Sequence, residues 1–241
     1  MRIISASNAD SLAVLAADIL AAQVLMKPNA VLGLATGSTP VGTYQQLIQR
    51  VRESRADFSG LCAVNLDEYV NLPASHSQSY ALFMRENLFS HINILASNTH
   101  IPDGMAKDIQ KECEQYDELI ERLGGIDLQL LGIGVNGHIG FNEPSDEFVR
   151  PTHRVTLTES TRNANSRFFS SPDEVPTHAI TMGLGAIFAA RHVLMLAIGA
   201  EKAQIVKDAF FGPITPAVPA SILQLHPNFT LITDAQAASL I

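Results

Sequence analysis

Residues 132–144, Gly-Ile-Gly-Val-Asn-Gly-His-Ile-Gly-Phe-Asn-Glu-Pro, put four glycines, one histidine and one carboxylate just after an apolar run, residues 127–131. The run predicts a buried strand, and the glycines let the chain turn sharply and approach a ligand closely. His138 and Glu143 then stand outside the carboxyl end of a strand, where open α/β sheets bind ligands. A histidine there can take and return a proton within one reaction.

The same segment matches a dinucleotide fingerprint at Gly132, Gly134 and Gly137. That pattern binds pyrophosphate only where a helix starts at its last glycine. Here Gly140, Pro144 and Pro151 follow without helical periodicity, so nicotinamide binding is not expected.

Two further segments carry possible chemistry. In residues 32–40, Leu-Gly-Leu-Ala-Thr-Gly-Ser-Thr-Pro, a strand gives way to a polar turn and then a helix from about Val41. Thr36, Gly37, Ser38 and Thr39 can offer N–H groups and hydroxyls to an anion, although such turns also serve simply as helix caps. The turn lacks Gly-Lys-Ser/Thr and is no Walker loop. In residues 65–69, Asn-Leu-Asp-Glu-Tyr, the acids Asp67 and Glu68 end an apolar strand. Like charges on neighbours can raise one carboxylate into the range of a useful base.

Arg167, in a helix-like stretch 160–169, and Lys202, at a helix start after strand 192–198, are cations read in isolation as surface residues. A lysine in a first helical turn is locally unfavourable, and a bound anion offsets that. There is no His-Glu-x-x-His, no clustered Cys/His and no Gly-x-Ser-x-Gly, so no metal and no serine nucleophile is indicated.

The elements that must position these groups alternate. Helices are expected at 12–26, 41–53, 80–88 and 109–123. Strands are expected at the amino terminus and at 30–35, 61–66, 128–133, 192–198 and 229–233. Such alternation predicts one α/β domain over 1–241, with helices on both faces of a mostly parallel sheet. The least regular stretch, about 144–176, is polar and proline-flanked and is expected to be a lid insertion.

With 241 residues the chain can bury a large core without staples. Cys62 and Cys113 form no metal or redox motif and read as reduced core thiols of a cytoplasmic protein. No leader and no apolar run of spanning length is evident. A net charge of −8, evenly dispersed, disfavours nucleic acid and anionic membranes, while leaving room for one locally basic pocket.

Residues 32–40, 65–69, 137–144, 165–168 and 223–227 together resemble the glucosamine/galactosamine-6-phosphate isomerase family, in the family's order and over essentially the whole chain. The resemblance implies a Rossmann-like three-layer αβα sandwich that converts glucosamine 6-phosphate and water into fructose 6-phosphate and ammonia. No cofactor and no metal are implied. By resemblance His138, held by Glu143, opens the sugar ring, and Asp67 moves a proton from C2 to C1. Thr36–Thr39, Arg167 and Lys202 match the family's phosphate positions. Lactonases of similar fold share a Gly-His loop but not the Phe-Asn-Glu-Pro continuation. A sensor of the same fold would not need all three of Asp67, His138 and Glu143.

Two departures stand out. Asn136 replaces the aspartate of many members; it can orient His138 by hydrogen bonding but cannot stabilise an imidazolium by charge. The chain also ends soon after its last strand and has His153 and Val155 where longer hexameric members carry basic residues for an activator. Activation by N-acetylglucosamine 6-phosphate is therefore not expected, and monomer and homo-oligomer both remain open.

Overall fold

A computed structural model describes residues 1–158, 162, 169, 171 and 174–241. The predicted helix-like stretch 160–169 and Arg167 therefore fall largely or wholly outside the described residues.

Seven strands form a wholly parallel sheet in the order β1-β10-β9-β6-β2-β3-β5. These are β1 (Arg2–Ala6), β2 (Val31–Leu34), β3 (Cys62–Asn65), β5 (Thr99–His100), β6 (Leu128–Gly132), β9 (Val193–Ala197) and β10 (Phe229–Asp234). From β2 the chain runs outward through β3 to β5. It then returns to the other side of β2 at β6 and continues through β9 to β10. The reversal between β2 and β6 is the switch point at which such sheets leave a crevice.

Helices cover both faces. On one side lie α1 (Ala9–Met26), α2 (Val41–Arg52) and α3 (Tyr80–Asn87); on the other lie α4 (Ile109–Arg122), α5 (Leu184–Ala189) and α6 (Ala203–Phe211). Alternation along the strands feeds the two cores. Leu194 and Leu196 of β9 join Leu12, Leu20 and Leu47 on the first side, while Val193, Met195 and Ala197 join Tyr116, Ile187 and Val206 on the second. This confirms the expected αβα layering and explains why the central strands read as unbroken apolar runs.

Helix α1 starts at Asn8, whose side chain accepts from the Ser11 amide in a reciprocal capping box. It is 18 residues long and apolar enough to cross a membrane by length and composition, which the sequence reading had not anticipated. Its face Leu12, Ala16, Leu20 and Val24 is buried. Exposed Asp18 pairs with buried Arg50 of α2. Both features suit a helix packed on a sheet.

One layer was not foreseen. Strands β4 (Asp67–Tyr69), β8 (His178–Thr181) and β7 (His153–Thr156) form a separate antiparallel sheet. Asp67 thus begins a new strand, two residues past the end of β3, rather than ending the one before it. Strands of three or four residues with mixed polarity carry too little periodicity to be read from sequence. The interval 144–176, expected to be irregular, contains β7.

Candidate active site

Four of the candidate segments follow four adjacent strands of the large sheet, all at the carboxyl edge. Lys202 follows β9, residues 136–143 follow β6, Thr36–Thr39 follow β2 and Asp67 follows β3. With strands about 4.8 Å apart, the ends of β9 and β3 are about 14 Å from one another.

Asp67 and Glu68 are buried. Burial, and after it the neighbouring Glu68 charge, pushes the Asp67 carboxyl up to about 8. The expected like-charge effect is thus present, with desolvation the larger cause. Glu68 has a defined partner set. Its carboxylate accepts from the amides of Tyr69, Tyr80 and Ala81 at 2.8, 3.0 and 2.9 Å. Two of those amides open helix α3, where a negative charge is favoured. Desolvation nonetheless leaves the Glu68 carboxyl above its ordinary value, against those three hydrogen bonds.

The loop after β6 folds back on itself. Gly134 N–H donates to the His138 carbonyl at 2.9 Å, and Gly137 adopts a left-handed φ of 86°. A Cβ at Gly134 would overlap the His138 ring. No helix starts at Gly137; the three spaced glycines shape the turn that carries His138. The Asn136 amide donates to Glu143 Oε2 at 2.7 Å, and its oxygen accepts the His138 amide at 3.2 Å. Glu143 Oε1 stands 3.6 Å from His138 Nδ1. That is longer than a hydrogen bond, and such separations in ligand-free sites often tighten once a ligand binds.

This loop reaches Asp67. A Cβ at Gly140 would lie 3.4 Å from Asp67 Oδ2 and 3.0 Å from Thr181 Oγ1. Asp67 and the His138–Glu143 loop therefore meet, although they are about 70 residues apart in sequence.

At the other strands the groups suit an anion. Helix α2 has no side-chain cap and no acid in its first turn. The N–H groups of residues 37–39 and the hydroxyls of Thr36, Ser38 and Thr39 bond to no other group among the described residues. Lys202 closes a 3-10 turn (Ala200–Lys202) that leads into α6 and makes no ion pair among the described residues. Burial holds its amine below the usual lysine value, with Glu201 opposing. Gly199, where that turn begins, donates its N–H to both oxygens of Asp234, at 3.2 Å each.

Sequence reading missed Asp234, Asn142 and Thr181. Asp234 ends β10, so the rule that singled out Asp67, an acid at the carboxyl end of an apolar strand, also applies to it. Asn142 donates to the carbonyls of Ile139 and Met182, both at 2.9 Å. Its contacts and those of Thr181 depend on the small antiparallel sheet, and no local pattern announces them. Two open surface clefts, of about 400 Å³ beside Leu25 and Val51 and about 270 Å³ beside His100 and Glu112, contain none of these candidate residues.

Comparison with known proteins agrees with this fold. The model of the family described as glucosamine-6-phosphate isomerases/6-phosphogluconolactonase matches residues 5–231. A glucosamine-6-phosphate deaminase of Lachnoclostridium phytofermentans is 58% identical over 232 residues, covering 96% of this chain and 98% of its own. One from Halothermothrix orenii is 53% identical over the full length of both. The solved structure of a monomeric glucosamine-6-phosphate deaminase superposes with a TM-score of 0.97, at 45% identity and complete coverage of both chains. A 6-phosphogluconolactonase from Trypanosoma brucei, 20% identical with a TM-score of 0.76 and 99% and 97% coverage, shares the fold.

Proposed function

The chain belongs to the family of glucosamine-6-phosphate isomerases and 6-phosphogluconolactonases, and on that premise we propose that it is a glucosamine-6-phosphate deaminase. It hydrolyses glucosamine 6-phosphate to fructose 6-phosphate and ammonia. Close identity to several deaminases over full length supports this reading above the lactonase one. So does the single observation that carries the chemistry: a buried carboxylate, Asp67, faces a loop that holds a histidine against a glutamate.

In this reading the Thr36–Thr39 turn, the open amino end of α2 and Lys202 grip the phosphate, with Arg167 joining them. Binding energy from the remote phosphate then orients the reacting carbons. His138 takes the proton of the anomeric hydroxyl and returns it to the ring oxygen. Glu143 and Asn136 hold the imidazole for that transfer. The open-chain carbonyl acidifies the C2 hydrogen, which Asp67 removes and delivers to C1. Removal leaves an enolamine once O1 takes a proton, delivery to C1 turns it into an imine at C2, and water releases ammonia from that imine. A base pushed up to about 8 is well matched to removing a carbon-bound proton near neutrality.

The proposal has further parts. A monomer is favoured, following the monomeric structural neighbour. Kinetics without activation by N-acetylglucosamine 6-phosphate, and a cytoplasmic location, complete it. Residues 144–176 are proposed as a lid, because β7 within them belongs to the sheet that carries Asp67. The test is a coupled assay for ammonia and fructose 6-phosphate, run with glucosamine 6-phosphate, galactosamine 6-phosphate and 6-phosphogluconolactone. Ammonia release from an amino sugar supports the proposal. Lactone hydrolysis with no ammonia overturns it.

A further inference from the structure

Asp67 and the His138 loop come from different layers, so something must set the gap between them. Asp67 lies directly opposite Thr181 in the β4–β8 antiparallel pair, which puts the two side chains on one face as close cross-strand neighbours. Thr181 is fully buried. Its Oγ1 accepts the amide of Phe141 at 3.0 Å, from within the loop that carries His138 and Glu143. The next residue, Met182, accepts the Asn142 side-chain amide at 2.9 Å, and its own N–H donates to the Leu66 carbonyl at 2.6 Å, one residue before Asp67. Gly140 lies between, where an added Cβ would reach Thr181 Oγ1 at 3.0 Å and Asp67 Oδ2 at 3.4 Å. The end of β8 thus holds the Asp67 strand with one set of bonds and the His138 loop with another.

We propose that Thr181 is a positioning residue: its hydroxyl fixes the distance between the Asp67 carboxylate and the loop bearing His138 and Glu143, and so governs the chemical step without touching the substrate's phosphate. The inference rests on the proposed deaminase reading. Placement errors near 1 Å cost about 10²-fold in enzymes that depend on aligned proton transfer, whereas the phosphate grip on β2 and β9 is anchored separately.

The experiment compares Thr181→Ser and Thr181→Val with the wild type by steady-state kinetics on glucosamine 6-phosphate, with amide hydrogen exchange on the same samples. Serine keeps the acceptor and is expected to retain kcat within about 3-fold. Valine keeps the shape and loses the acceptor. It is expected to lower kcat by about 10- to 100-fold with KM within about 3-fold, and to speed exchange at Phe141. Gly140→Ala, which also strains a left-handed backbone position at φ 59°, wedges the same contact from the loop side and is expected to show at least the same kcat loss, which keeps the proposal testable if the valine variant does not fold. Wild-type kcat in Thr181→Val or in Gly140→Ala overturns the proposal. So does a serine variant as impaired as valine, or losses that fall equally on kcat and KM. Absence of turnover by the wild-type protein would instead sink the deaminase reading, and exchange at Phe141 would still report on the Thr181 contact.

Discussion

The imidazole of His138 packs against the bare backbone of Gly134, closely enough that any Cβ at position 134 would overlap three ring atoms. The two residues are also joined through the backbone, Gly134 N–H to the His138 carbonyl. The glycine leaves the space in which the ring sits. Gly134→Ala is therefore expected to displace the ring and reduce kcat by about 10²-fold or more while the fold persists. Kinetics together with a circular dichroism melt will check it. An alanine variant with wild-type kcat would show that the ring position is not critical.

Asp67 makes a paired prediction about pH. In the proposed role of base it works ionised, and its carboxyl is pushed up to about 8, so kcat/KM should rise with pH along a limb near that value. Asp67→Asn should lose the limb and about 10²–10⁴-fold in rate.

The same shift has a sign for stability. The folded carboxyl titrates above its ordinary value of 3.8, so the folded state keeps a proton that the unfolded chain releases. Stability is then lost progressively as pH rises from about 4 to about 8. Asp67→Asn should match the wild type near pH 4 and exceed it above pH 8, by up to a few kcal/mol, each pKa unit being worth about 1.4 kcal/mol. Melting temperatures across that range decide the matter; an asparagine variant that is less stable at pH 9 contradicts it.

Asn136 donates to Glu143 at 2.7 Å. Asn136→Asp replaces that N–H with a second carboxylate oxygen, and two such oxygens can stay in contact only by sharing a proton. The kcat–pH profile of the variant should acquire an added titration and move by at least about half a unit. If the two profiles superimpose, this hydrogen bond has no part in the proton transfer.

Lys202 is a half-buried amine in no ion pair among the described residues, and burial, opposed by the Glu201 charge, lowers its affinity for a proton. A bound phosphate dianion reverses that penalty. Lys202→Met should raise KM by about 10- to 100-fold and leave kcat within a few-fold, because the group binds ground state and transition state alike. Inhibition by inorganic phosphate should weaken in parallel. A variant that lost kcat and kept KM would move Lys202 from the phosphate to the chemistry.

Much of the large sheet was legible in the residues because its strands are buried on both faces. Runs such as 193–197 have no polar interruption, and helices such as α4, with Cys113, Tyr116 and Ile120 buried, keep the helical period. Strand ends, glycines and the placement of His138, Glu143 and Asp67 along one edge follow from local pattern and from the geometry of parallel sheets. The seven-strand order confirms that common edge.

The antiparallel sheet was not legible, and with it went the link between Asp67 and Thr181, which are over 100 residues apart. Local sequence governs dihedral preference and which face of an element is apolar. It says nothing about which distant hydroxyl will satisfy a buried amide such as that of Phe141, or how far desolvation will raise a carboxyl such as Asp67. Those are decided only when packing removes water and brings separate strands into hydrogen-bond range.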